Sequence, residues 1–144
     1  MQRKGKAVEL YSGEFNCAQS IIGAFEDKLS NKKNILINAA AGFGGGMGRM
    51  QKTCGAVTGA IMILSTLNKT EISNSKEQLI QNIQEFTRAF DKKFGALDCA
   101  SLISYDLNTA KGRAKAKEDN IFELKCANIV ATTVEIITEI IERK

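Results

Sequence analysis

An all-α fold, a compact single-domain helical bundle of about five to seven helices with a glycine-rich interhelical loop, is what this 144-residue sequence predicts. Three observations carry that expectation. The chain has no proline, the strongest helix breaker. Apolar residues recur every three to four positions along its longer segments, and no second strand-like segment exists to pair with the β-branched one near the end. Candidate N-cap residues stand in front of patterned segments at Asn16, Thr53 and Asp98. A chain of this length buries roughly two-thirds of its unfolded surface, so residues 1–144 can form one core without disulfides.

The elements follow in order. Gln2 to Tyr11 offers only Ala7, Val8 and Leu10 as apolar contacts, enough for a short helix. Asn16 caps a clearer helix from Cys17 to Leu29, in which Cys17, Ile21, Phe25 and Leu29 recur at a spacing of four and face the core. Ser30 to Asn34 is a polar connection, and Ile35 to Ala41 reads as a helix ended by Gly42. The run Gly42-Phe43-Gly44-Gly45-Gly46-Met47-Gly48-Arg49 is then a loop that suits positive φ and tight packing, with an anion or cofactor cradle as the other reading. It holds neither a dinucleotide fingerprint nor a phosphate-loop motif.

Thr53 to Leu67 is the central helix, with Thr53 as N-cap and Cys54 at the first helical position. Val57, Ala60, Ile61, Met62, Ile63 and Leu64 make it apolar on nearly all sides, so it should be buried. Gly55 and Gly59 would let a partner helix or an inorganic centre approach its backbone closely. Asn68 to Ser75 reads as a turn. Lys76 to Phe94 is an amphipathic helix with Leu79, Ile83, Phe86, Phe90 and Phe94 on one face, and Gly95 ends it. Asp98 caps a short helix from Cys99 to about Tyr105. Asp106 to Asp119 is polar and basic, a short helix plus surface loops. Cys126 to Ile141 carries Cys126, Val130, Val134, Ile137 and Ile141 at helical spacing, and the period decides for helix over its β-branched content.

Composition narrows function by exclusion. With no histidine there can be no histidine acid–base catalysis, no Ser-His-Asp or Cys-His nucleophile, no histidine metal ligand and no C-x-x-C-H haem attachment. The 20 basic and 16 acidic residues are spread along the chain, with one modest cluster at Lys111 to Lys117, so a solvated surface is expected and nucleic acid is not. Met1 to Glu14 carries no apolar signal region, and the apolar run Ala56 to Leu67 is too short to span a bilayer. No membrane association and a cytoplasmic location are therefore expected. No carboxylate pair has a spacing that argues for hydrolysis, and neither hydrolase nor transferase chemistry is expected.

What remains is thiol chemistry. The cysteines are separated by 36, 44 and 26 residues, with no C-x-x-C pair, so spacing alone says little about metal. Context says more. Asn16, Thr53 and Asp98 each precede a cysteine as caps, small residues follow all four, and Lys125 precedes Cys126. A helix start or a neighbouring lysine favours thiolate. If these segments converge, Cys17, Cys54, Cys99 and Cys126 could hold an iron–sulfur cluster or zinc, or two of them could cycle as a metal-free disulfide. The alternative is a structural or binding helical module in which they are small buried hydrophobes. The redox partner is unknown, and a homo-oligomer is left open.

At these residues the chain resembles a family of redox-active proteins labelled C_GCAxxG_C_C. The matching segments are Asn16-Cys17-Ala18, the glycine run with Cys54-Gly55-Ala56-Val57-Thr58-Gly59-Ala60, Phe94-Gly95 through Cys99, and Cys126. The label writes glycine before cysteine, whereas here the order is Cys54-Gly55-Ala56. The family is similar to a domain of split-Soret-type dihaem cytochromes whose cysteines are associated with a [2Fe–2S]-type cluster. The resemblance implies a small helical protein with Cys17, Cys54, Cys99 and Cys126 as ligands or redox thiols in electron transfer or redox sensing. Gly42, Gly44, Gly45, Gly46, Gly48 and Gly55 would shape the site.

Overall fold

The computed structural model describes residues 2–68 and 72–143. Among them the fold is all-α. Its helices are α1 (Arg3–Ser12), α2 (Cys17–Ala24), α3 (Lys33–Ala40), α4 (Gly55–Thr66), α5 (Ile72–Phe94), α6 (Cys99–Ile103), α7 (Ala110–Glu118) and α8 (Ala127–Glu142). That is slightly more than the about five to seven expected from periodicity. Two short helices lie where apolar period is hardly readable: α6 has five residues, and α7, of nine residues, buries only Ala116.

The core forms around α4. Ala56, Val57, Ala60, Ile63 and Leu64 are buried on different sides of it, as an apolar helix without a polar face requires. Helix α2 lies directly on its glycines. A Cβ at Gly59 would stand 3.0 Å from the Ala18 carbonyl oxygen and 3.0 Å from Ile21 Cβ, and one at Gly55 would stand 3.1 Å from Cys17 Cβ. The Gly55-x-x-x-Gly59 spacing therefore sets how closely α2, and Cys17 with it, approaches α4. Helix α8 closes the bundle through Ile129, Val130, Val134, Ile137 and Ile140, so its β-branched content yields to helical packing. Phe86 and Phe90 of α5 are fully buried, and the rings of Phe86, Phe90 and Phe94 run in series with centroids 5.9 and 4.8 Å apart. Each of the two fully buried rings, Phe86 and Phe90, contributes roughly 1.5–3 kcal/mol by leaving water.

Several boundaries move. Helix α2 stops at Ala24, not Leu29; the chain continues through 3₁₀ turns at Glu26–Lys28 and Ser30–Lys32, which still bury Phe25 and Leu29. Helix α3 starts at Lys33, so the polar connection is shorter than Ser30 to Asn34. Part of the expected turn from Asn68 to Ser75, residues 69–71, lies outside the described residues, and α5 is already helical at Ile72. Before α8 the chain makes one π-helical turn, Phe122–Cys126. No helix among the described residues is long and apolar enough to cross a membrane.

Candidate redox site

The four cysteines come from four segments, and each is placed by a different device. Cys17 is the first residue of α2. Asn16 caps that helix by accepting from the Gln19 N–H at 2.8 Å, while the Gln19 side chain accepts from the Asn16 N–H at 3.1 Å. Asn16 Nδ2 also donates to the carbonyl of Ala41 at 3.0 Å, tying this helix start to the root of the glycine loop.

Cys54 and Cys99 are placed as a pair. Thr53 and Asp98 form an isolated antiparallel bridge, in which the Cys54 N–H donates to Leu97 O at 2.8 Å and the Cys99 N–H donates to Lys52 O at 2.7 Å. This pairing corrects the sequence expectation for Thr53. It is extended and bridged, and Cys54 itself (φ −57°, ψ 139°) is the N-cap of α4. Asp98 does cap α6, accepting from the Ser101 N–H at 2.9 Å, so Cys99 opens that helix as expected. Cys126 does not open a helix. It ends the π-helical turn that runs straight into α8, a local widening that often re-aims a side chain at a functional site.

The glycine loop is wound left-handed. Five successive residues, Gly45 to Arg49, have φ between 61° and 72°, and Gln51 follows at 59°. Backbone hydrogen bonds from Gly48 N–H to Gly42 O (2.7 Å), from Arg49 N–H to Gly44 O (3.1 Å) and from Lys52 N–H to Gly46 O (3.0 Å) hold it in this form. At Gly46 the conformation and the space both demand glycine, because a Cβ would lie 2.7 Å from Lys52 N.

All four cysteines line one cavity of about 60 Å³, more room than a single water needs. Gly45, Gly46 and Gly55 share its wall with Leu102, Ile103, Leu107, Phe122 and Ile129. Of the other glycines expected to shape the site, Gly44 and Gly48 face an adjoining cleft, and Gly42 lines neither space. Two polar residues were not anticipated. Tyr11, at the end of α1, lines the cavity with its phenol in hydrogen-bond reach of Cys17 and Cys126. Gln51 is buried; its Nε2 donates to Tyr105 O at 2.6 Å, its Oε1 accepts from the Leu107 N–H at 2.9 Å, and its amide lies close enough to the Cys99 thiol to pull it down.

The expectation that helix starts would favour thiolate does not hold in this chamber. Burial pushes the Cys54 thiol up to about 12, against the pull of the Ala56 and Val57 N–H groups, which face the sulfur without closing a cap hydrogen bond. Burial likewise raises Cys126 to about 11, although the Tyr11 hydrogen bond and Lys125 pull it down. Cys17 is pushed well above its usual range by burial and then by Cys54 and Cys126, and Cys99 is raised by burial against the pull of the Gln51 amide. Desolvation and crowding among like groups outweigh a helix dipole.

The cysteines are free thiols. Among the described residues no three Cys, Asp or Glu side chains converge as ligands of one ion. A binuclear cluster would divide four thiols between two irons, and an all-sulfur donor set around an apolar cavity has the chemistry such a cluster takes.

No curated protein and no solved structure matches the chain. A family model described as "Putative redox-active protein (C_GCAxxG_C_C)" matches residues 15–140, a span that holds all four cysteines and the glycine loop, and the chain belongs to that family.

Proposed function

We propose that Cys17, Cys54, Cys99 and Cys126 together hold a [2Fe–2S]-type cluster and that the protein serves electron transfer or redox sensing through it. One observation carries this reading: four thiols from distant parts of the chain line a single apolar cavity in a protein of a redox-active family. When bound, such a cluster supplies one-electron chemistry at a potential set by its surroundings.

The chain's own residues supply those surroundings. The four thiols, protonated when the cavity is empty, give up protons to act as ligands. Gln51 and Tyr11 remain as donors to sulfur, Gln51 toward Cys99 and Tyr11 toward Cys17 and Cys126. Among the described residues the N–H groups of Gly45 and Gly46 engage no backbone acceptor, so both can donate to negative charge at the cavity wall. Leu102, Ile103, Leu107, Phe122 and Ile129 keep bulk water away.

The test is anaerobic purification and cluster reconstitution, followed by iron and sulfide analysis and visible absorption. Iron and sulfide in equal amounts, lost together when Cys54 is replaced by serine, is the expected result. Colourless, iron-free protein after reconstitution would overturn the cluster. If that protein then lost a pair of thiols reversibly on mild oxidation, the metal-free disulfide reading would replace it.

A further inference from the structure

The basic cluster Lys111 to Lys117 sorts into separate surfaces once the chain is folded. Lys115 pairs with Asp119 at 3.3 Å. Arg113 and Lys117, one turn apart on α7, instead line a solvent-open cleft of about 890 Å³ together with Arg49 of the glycine loop. That volume is in the range of small-molecule sites. Glu123 is the one carboxylate on its wall, so three cations against one anion leave a net charge of +2. Among the described residues none of the three cations takes part in an ion pair.

Two features make this more than a charged surface. Arg113 is already held in place: its Nη1 donates to Leu107 O at 2.8 Å, and the rest of its guanidinium fork remains for a ligand. The cleft also shares Gly45, Leu107 and Phe122 with the cysteine cavity, so a molecule seated in it lies against the wall of the redox site.

We infer that this cleft binds a small phosphate-bearing dianion, held by Arg49, Arg113 and Lys117 beside the cysteine cavity. Net charge matches a dianion, and the concave shape with a tethered guanidinium suits a compact ligand better than the broad face of an acidic protein. The binding stands by itself; only the molecule's role as a substrate or electron-exchange partner rests on the redox reading.

The experiment uses the isotopically labelled full chain at low ionic strength, with inorganic phosphate and pyrophosphate as probes and amide chemical shifts as readout. Saturable shifts at Gly44, Gly45 and Gly48 are expected with pyrophosphate, and weaker ones with phosphate. Arg113→Gln and Lys117→Gln should each weaken binding about tenfold, while Lys111→Gln, on the same helix but off the cleft, should not. Iron content after reconstitution should be the same in all variants, so loss of the binding site and failure of the redox reading are read separately. Three outcomes overturn the inference: no saturable shift at those amides with either probe at millimolar concentration, equal weakening by Lys111→Gln, or shifts produced by polyglutamate but by neither phosphate.

Discussion

Three glycines of one loop allow backbone strain to be separated from steric contact. Gly42 lies outside the left-handed region, and a Cβ there would meet nothing within 4 Å. Gly48 has φ 61° and the same open space. Gly46 has φ 72°, and a Cβ there would fall 2.7 Å from both the N and the O of Lys52, backbone atoms that cannot swing aside. Gly42→Ala should therefore be neutral or stabilising by about 0.5 kcal/mol, because alanine restricts only the unfolded chain. Gly48→Ala should cost about 1–2 kcal/mol for forcing an L-residue left-handed. Gly46→Ala carries that cost plus an overpacking term of about 1–3 kcal/mol, for a total of about 2–5 kcal/mol. In urea unfolding of the metal-free, reduced protein, with a slope of about 2 kcal/mol/M, the midpoint should fall by about 0.5–1 M for Gly48→Ala and by about 1–2.5 M for Gly46→Ala. A second readout follows from Lys52 O, which accepts the Cys99 N–H at 2.7 Å: Gly46→Ala should also speed labelling of Cys54 and Cys99. Equal midpoints for Gly46→Ala and Gly48→Ala would refute the steric argument, and a Gly42→Ala loss as large as that of Gly48→Ala would refute the strain argument.

Three further outcomes are expected. Thr133 on α8 is fully buried with an Oγ1 that finds no hydrogen-bond partner among the described residues, so Thr133→Val should stabilise the protein by about 1 kcal/mol in the same assay, and destabilisation would mean the hydroxyl is engaged. Folding raises the thiols of Cys54 and Cys126 from 9.0 to about 12 and about 11, so the folded state holds protons that the unfolded state releases; stability is intact below pH 9 and falls as pH rises toward 11, by up to about 1.4 kcal/mol per pH unit per thiol. Chemical unfolding of the metal-free protein at pH 8, 9 and 10 checks this, and a flat profile counts against buried, protonated thiols. Tyr11→Phe removes a hydrogen bond that lowers Cys126, so at pH 9 alkylation of Cys126, followed by mass spectrometry, should slow while that of Cys54 stays constant.

Local signals were legible wherever the physics is local. Asn16 and Asp98 cap their helices because the oxygen and the N–H it accepts from are three residues apart, a distance a reader of sequence can count. Thr53 fails by the same standard. Its backbone is committed to a bridge with Asp98, 45 positions away, and a contact that remote leaves no mark in the neighbouring residues. Cys126 fails because a π-helical turn adds a residue without altering the apolar stripe on either side. Tyr11 was hidden by the weakness of its helix, whose few apolar residues take their order from α8, and Gln51 by its left-handed backbone, which a non-glycine residue seldom adopts.

The thiolate expectation failed for a reason of magnitude. A helix dipole contributes about 0.3–1 kcal/mol at a terminus, whereas a rise from 9.0 to about 12 at Cys54 corresponds to about 4 kcal/mol against ionisation. The sequence identifies a cysteine at or next to a helix start, but whether it is charged is decided first by how deeply it is buried and then by the thiols that share its apolar enclosure, and only the folded chain determines either. The same enclosure explains why the cap positions matter to the site even though they do not ionise it. Asn16, the Thr53–Asp98 bridge and the left-handed loop direct their hydrogen bonds to holding Cys17, Cys54 and Cys99 at the cavity that Cys126 reaches from the π-helical turn.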